Sequence, residues 1–598
     1  MGGYILKRFK KIITTLLLMT LVFAMSGCGA GKKAKALSNG TYTGEAEGKG
    51  GIIKVELAVA DGKISKIDVK EHHETAGIGD LAMKEISKAI VENQSVNVDS
   101  ISGATIACEG FLKATKGALK EAGAKDEDFK NHKKVSLIQP EKETEQNYDV
   151  VIIGAGGAGL SAAVEAKQSG AKVVVLEKMP LVGGNTLVSG GGLNVPNSPQ
   201  QKAKNIQDSV QSFYEDTLKG GDNKANPSLV KILSENALDA SKWLVDYVKV
   251  EFMPDRLQQF GGHSVPRALI AKGNHGTDLI EKLTIKAKEL GVDFKMNTTA
   301  KELMVDEKGK IVGVKATNPL DQNLTFKAKK GVVIASGGFG SNVEMRKKYN
   351  PEFDEKYLTT DQPGTTGDGI LMAEKIGANL TQMEYIQTYP TCNPDTGIIS
   401  YVANSRFDGA ILVNKQGKRF VEEMERRDVI SKGILNQTDA VAYLLWGQEV
   451  EAVGNMTKVH TDEFNKMEKS NVLFKVNSIE EAAKAFKIDV DSMKATVERY
   501  NKFVAEGKDQ DFNRRGQILS IEKGPFYIQK VKPSIHHTMG GIVIDENARV
   551  INKEGKPIDG LFAAGEVTGG IHGTNRLGGN AVTDVVVFGK IAGKNVSK

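Results

Sequence analysis

Cysteine is nearly absent: the 598 residues contain three, Cys28, Cys108 and Cys392. Thiols so few and so far apart exclude a disulfide framework, a zinc ribbon and a CxxCH haem site, so redox chemistry needs another cofactor. Net charge is scarce as well, with 80 Lys and Arg against 74 Asp and Glu. Four of the bases, Lys7, Arg8, Lys10 and Lys11, fall within residues 1–27, which hold no acid, and the other 571 residues carry 76 bases against 74 acids. So neutral a body argues against a nucleic-acid binder. The apolar run Ile12–Ala24 is 13 residues long, short of the roughly 20 that a membrane-spanning helix needs. With 40% hydrophobic and 26% charged residues, the chain is neither disordered nor a small stapled scaffold, and its length allows roughly two to four domains. What it has in excess is glycine, 65 residues, well above the usual level of about 7%.

The basic stretch, the apolar run and the small residues Met25-Ser26-Gly27 before Cys28 have the layout of an export signal. The segment resembles a bacterial lipoprotein signal, which implies cleavage after residue 27, lipid on the Cys28 sulfur and an extracytoplasmic, membrane-anchored protein. An ordinary cleaved signal beside an unrelated cysteine is the alternative.

A first domain is expected over residues 37–124. Val55, Leu57 and Val59 alternate on one strand, Asp61-Gly62 makes a turn, and Ile64, Ile67 and Val69 follow on a second, which predicts a hairpin over Gly51–Val69. Helices are predicted over Gly79–Glu92 and about Thr105–Ala122. Between them stands Asp99-Ser100-Ile101-Ser102-Gly103-Ala104-Thr105. This run resembles the D-x-x-S-G-A-T signature of the small FMN-binding domain, which implies that a flavin transferase joins FMN covalently, through its phosphate, to the Thr105 hydroxyl. Small side chains before a helix start, with its free N–H groups, suit a phosphodiester; a plain helix cap is the alternative. The adjacent histidines His72 and His73 read as surface residues rather than metal ligands. Residues 125–147, charged and weakly periodic, are expected to be a linker.

The strand Val150–Ile153 runs into Gly154-Ala155-Gly156-Gly157-Ala158-Gly159, a helix to Gln168 and a strand Lys172–Leu176 that ends at Glu177. That order is the dinucleotide fingerprint: the glycines let a pyrophosphate approach the helix start, and the acid accepts from ribose hydroxyls. Further glycine patches follow at Gly183-Gly184-Asn185-Thr186, Ser189-Gly190-Gly191-Gly192, Gly337-Gly338, Gly364 to Gly369 and Gly565 to Gly570. Together they resemble the FAD domain of the fumarate reductase and succinate dehydrogenase flavoprotein superfamily. The resemblance implies non-covalent FAD held by Gly154–Gly159, Glu177, Lys178, Gly184, Asn185, Thr186, Gly190, Gly191, Asp368, Gly565, Glu566, Asn580, Ala581 and Val582.

The segments His536-His537-Thr538-Met539-Gly540-Gly541 and His572 to Asn580 narrow the resemblance to the flavocytochrome-c-like fumarate reductases and urocanate reductases. It implies that His537 and Arg576 hold a substrate carboxylate, a task suited to an imidazole and a guanidinium fork. It also implies that Arg427, after the hairpin Gly417-Lys418-Arg419-Phe420, donates a proton; a surface pair Arg427–Asp428 is the alternative. The chain departs from fumarate reductases at Gln387-Thr388-Tyr389-Pro390-Thr391, where Tyr389 replaces a histidine, and at Ser400–Arg406, which lacks a Thr-Glu pair. Losing a cationic donor makes a dianion a poor fit. Tyr389 resembles the tyrosine that contacts imidazole in urocanate reductases, with Asn404 at the place of their aspartate. Arg406 aligns with an arginine of the family's proton path.

These readings predict an α/β and α+β multidomain protein: an FMN domain, an FAD domain in segments 148–383 and 531–598, and a capping domain at 384–530. The implied activity is reduction of the C=C bond of a small unsaturated monocarboxylate in anaerobic respiration, urocanate first, with cinnamate-like acids, acrylate, methacrylate or fumarate as alternatives. Without haem, electrons would pass from a membrane or extracellular donor through FMN to FAD. A non-catalytic flavin electron carrier is the alternative of another class, and a superfamily oxidase or steroid dehydrogenase a further enzyme alternative. Thr105→Ala, co-expressed with a flavin transferase, is expected to lose the flavin fluorescence that stays with the wild-type polypeptide on a denaturing gel while retaining extractable FAD.

Overall fold

The structure is a computed structural model that describes residues 37–74, 78–101, 103–130, 132–272 and 275–598. The expected signal 1–27, Cys28 and Ser102 lie outside the described residues. Two compact units divide near residue 137.

In the first unit, the strands Gly40–Glu47, Ile52–Ala60 and Lys63–Glu71 form an antiparallel sheet in that order. Asp61 and Gly62 both take positive φ, 51° and 71°, as a two-residue hairpin turn requires. Val55, Leu57, Ile64 and Ile67 are buried against the helix Thr105–Glu121 and its neighbours. That helix comes very close to the sheet: a Cβ at Gly44 would stand 2.1 Å from the Ala114 carbonyl oxygen. The strand Gly40–Glu47 buries none of its residues fully, so it leaves no core pattern in the sequence. Residues 125–147 contain more than a linker, since a helix spans Asp126–Lys130, Val135 bridges to Val98, and the next strand starts at Glu145.

The second unit is built on a mixed sheet. Asn323–Ile334, Glu145–Ile153, Val173–Leu176 and Asp293–Lys295 pair in parallel, while Thr299–Val305 and Ile311–Thr317 extend the sheet antiparallel. Val150, Val151, Ile152, Val174 and Val175 have no exposed surface, which is why these strands read as continuous apolar runs rather than alternation. Late in the chain, Pro557–Ala563 pairs in parallel with Val332–Ile334 and so returns Gly565 and Glu566 to the glycine loop. The helix Asn580–Val596 then packs on the helix Gly157–Gln168, with Gly589 and Gly593 at the contact.

Residues 386–538 carry a second sheet, antiparallel throughout, ordered Ile386–Cys392, Phe526–Thr538, Ala442–Trp446, Ile411–Val413, with Leu473–Val476 also on the long strand. Leu412, Leu444 and Trp446 belong to the core on one face and Ile411, Tyr443 and Leu445 to the core on the other. The expected boundary at 530–531 falls inside the strand Phe526–Thr538, which pairs within this sheet along its length. Chain continuity therefore carries His536 and His537 from the cap sheet straight into the nucleotide-binding part.

A Cβ at Gly593 would stand 2.3 Å from the Ala162 carbonyl oxygen. Gly593→Val is expected to force the two helices apart and cost about 1–3 kcal/mol, read as a lower midpoint in urea unfolding.

Candidate active site

The glycine loop is shaped by its own backbone. Gly154 has φ of 104°, and a Cβ there would meet the Ala335 carbonyl oxygen at 2.4 Å. A Cβ at Gly159 would meet the Gly154 carbonyl oxygen at 1.9 Å. Gly156 is the N-cap of the helix Gly157–Gln168 and offers no side chain to its first turn, leaving N–H groups suited to an anion. Glu177 accepts the N–H groups of Ala155 and Met179, each at 2.8 Å. Burial raises its pKa, an effect these bonds oppose. Lys178 Nζ donates to Thr366 Oγ1 at 2.5 Å and Asp368 Oδ2 at 2.6 Å, at the start of the helix Asp368–Lys375. Gly565, with φ of 79°, stands against Ala158, and Asn580 accepts from Asn194 and donates to Thr217.

A cavity opens beside this loop. Asn185, Thr186, Gly190, Gly191, Glu566, Ala581 and Val582 line it together with Tyr389, Asn404, Arg427, His537 and Arg576. A Cβ added at Gly190 would meet nothing within 4 Å, so the backbone there borders open space of the kind a flat ring system needs. Gly184 adjoins the cavity through Asn185, whereas the expected Arg406 does not line it. Arg406 is buried, donates to the Glu423 carbonyl and lies beside Tyr389. Thr105 belongs to the other unit, where it is the exposed first residue of its helix, with Ala104 at the N-cap.

Arg576 is buried and Arg427 half-buried. Burial, with Arg406 nearby, brings the Arg427 pKa down to about 10, while the Tyr389 ring, 4.7 Å from the guanidinium carbon, favours the charge. Arg576 is pushed well below the ordinary guanidinium range by burial and by Arg427, an effect that Glu566 and Asp361 oppose. Asp428 pairs with Arg426, which also holds Asp222, so the expected surface pair with Arg427 is not formed. Gln387 fixes the spacing of the cluster: its amide nitrogen donates to Asn575 Oδ1 at 2.6 Å and the Arg576 carbonyl at 2.8 Å, and Arg427 reaches its oxygen at 3.5 Å.

His537 Nδ1 lies 3.6 Å from Glu566 Oε2. Burial and the arginines push its pKa well below the ordinary value, so the ring is neutral. Its Nε2 and the Arg576 Nε are buried without a partner in the protein. Buried polar atoms are ordinarily paired, so these two, on residues that line the cavity, are open to a ligand. Asn185 Nδ2 donates to Asp361 Oδ1 at 2.9 Å and Glu566 Oε2 at 3.3 Å. Asp361 escaped the sequence reading, although it stands three residues before the quoted Gly364 patch. His536, Tyr401, Phe260, Ile399 and Gln258 also line the cavity; no motif marks the last three.

Residues 149–582 match the FAD binding domain family, and residues 48–120 match the FMN-binding domain. Urocanate reductase of Eggerthella lenta is 46% identical over 571 residues, covering 95% of this chain and 93% of that protein. The chain belongs to the urocanate and fumarate reductase family of flavoproteins. It is a flavin oxidoreductase with binding domains for FAD and FMN. A cytochrome fumarate reductase of Shewanella frigidimarina is 40% identical over 75% of this chain and 77% of its own. The open conformation of a flavocytochrome c3 fumarate reductase superposes with a TM-score of 0.63 at 38% identity, covering 76% of this chain and 78% of that one. The glycine cradle, Glu177 and the Lys178–Asp368 pair fit FAD, and the exposed Thr105 beside Gly103, whose added Cβ would meet nothing within 4 Å, fits FMN.

Burial and Glu566 raise the Asp361 pKa well above the ordinary value. The unfolded carboxyl ionises near pH 4, so wild-type stability falls as pH rises from there toward the folded value. Asp361→Asn removes that loss, and its gain in Tm over wild type is expected to be larger at pH 8 than at pH 5 in thermal unfolding of the holoenzyme.

Proposed function

We propose that this protein is an extracytoplasmic reductase of 2-enoates, with urocanate the preferred substrate. The observation that carries the reading is the cavity lining. Two guanidinium groups and an unpartnered His537 Nε2 meet there, and the rest of the lining offers Tyr389, Tyr401, Asn404 and Gln258 but no lysine or further arginine. One carboxylate is provided for, and a second would lose its hydration without a cation to replace it. The 46% identity to a urocanate reductase supports the heteroaryl choice, and an NADH:acrylate oxidoreductase of Vibrio harveyi, 33% identical over 94% of this chain and 61% of its own, supports the enoate class. A flavin carrier without catalysis has no use for three cationic or proton-bearing groups around one cavity.

Reduced FAD, when bound, supplies the hydride that adds to the β-carbon. Arg576 and the neutral His537 hold the carboxylate, and their hydrogen bonds strengthen as negative charge moves onto its oxygens. Arg427 supplies the proton to the α-carbon, so one hydride and one proton saturate the C=C bond. A guanidinium is ordinarily too basic to act as an acid, but burial brings this one to about 10. Tyr389 faces the Arg427 guanidinium and keeps it in place. Electrons are proposed to reach FAD from covalent FMN at Thr105, which a flavin transferase attaches and a membrane or extracellular donor reduces. Lipid on Cys28 is proposed to hold the protein at the cell membrane.

An anaerobic assay with reduced viologen is expected to rank urocanate above cinnamate and acrylate, with fumarate last. Fumarate as the best substrate would overturn the specificity, and no turnover of any 2-enoate would overturn the reductase. Arg427→Ala is expected to lower kcat about 10³-fold with FAD retained, and the wild-type rate to fall as pH rises through about 10, where the acid loses its proton.

A further inference from the structure

Tyr401 was not among the expected site residues, yet it lines the cavity, and it is fixed from several sides. Its backbone N–H donates to both carboxylate oxygens of Glu463, at 3.1 and 3.0 Å, and the Val402 N–H donates to the same carboxylate at 3.1 Å. Glu463 sits on a separate helix, Thr461–Lys469. The Tyr401 hydroxyl donates to the Val188 carbonyl at 2.6 Å. Its ring lies 4.8 Å from His275, edge to face, and 5.3 Å from His460, stacked. His275 in turn packs on the Ser189–Gly192 patch, since a Cβ at Gly191 would meet its carbonyl oxygen at 2.6 Å. The ring is therefore set before any ligand arrives, and its hydroxyl proton is already engaged. What remains for the cavity is aromatic carbon.

We propose that Tyr401 determines specificity in this site: its ring is the wall on which an aromatic group at the β-carbon of a 2-enoate packs, so that aryl- and heteroaryl-acrylates are selected over acrylate. The assignment rests on the enoate reading above and names the substrate class within it. A rigid aromatic wall gains from ring contact without an ordering cost. The neutral Asn404 and Gln258 in the same lining complete a surface suited to a flat, uncharged ring.

The test is equilibrium binding, which does not depend on turnover. Oxidised holoenzyme is titrated with urocanate, trans-cinnamate and acrylate, following the flavin absorbance, for wild type, Tyr401→Ala and Tyr401→Phe. Wild type is expected to bind the two aryl acids about tenfold or more tightly than acrylate. Tyr401→Ala should bring that ratio to within about threefold of unity, and Tyr401→Phe, which keeps the ring and loses the bond to Val188, should preserve it. The assignment is overturned if wild type shows no aryl preference, if the ratio survives in Tyr401→Ala, or if Tyr401→Phe behaves as Tyr401→Ala. If the binding ratios hold but no acid is reduced, it is the reductase reading that fails.

Discussion

Two guanidinium groups, Arg427 and Arg576, share one cavity, and much of the surrounding structure serves to keep both of them there. Burial lowers the pKa of both; Arg427 lowers that of Arg576 further, and Arg406 that of Arg427. Against this stand the Tyr389 ring and two carboxyl groups, Glu566 and Asp361; burial raises the pKa of both carboxyls. The neutral histidines fit the same logic, since a third positive charge at His537 would deepen the repulsion that already disfavours its protonation.

That arrangement depends on joining distant stretches of chain. The strand Phe526–Thr538 runs from the cap sheet to His537, and Gln387 on the neighbouring strand donates to Asn575 and to the Arg576 carbonyl. Tyr401, in the cap, donates to Val188 beside the glycine loop. The substrate pocket is thus walled by both parts, and the bonds between them are also the bonds that place its reacting groups.

Local features were legible in the sequence because their cause is local. The Asp61-Gly62 hairpin needs only positive φ at two residues, and the Gly154–Gly159 loop only a strand before it and a helix after it. Arg427 and Asp428 read as a possible pair because they are adjacent, yet Asp428 bonds Arg426, and the cause is Asp222, some two hundred residues earlier, which holds Arg426 from the other side. Asp361, Tyr401 and Phe260 carried no readable signal: a lone aspartate or aromatic has many possible roles, and only the partners brought to it decide among them.

The sequence by itself determined the fold class, the two flavin-binding domains and the identity of the groups that can hold a carboxylate, because each is encoded by short runs of residues whose backbone or charge requirements are met within the run. The tertiary structure alone decided which of those groups share a cavity, that Arg406 lies beside Tyr389 rather than in the lining, and that the Tyr401 hydroxyl is engaged by Val188. Those outcomes depend on burial and on hydrogen-bond partners from remote segments, such as Glu463 and Val188 for Tyr401, and neither quantity exists until the chain is folded.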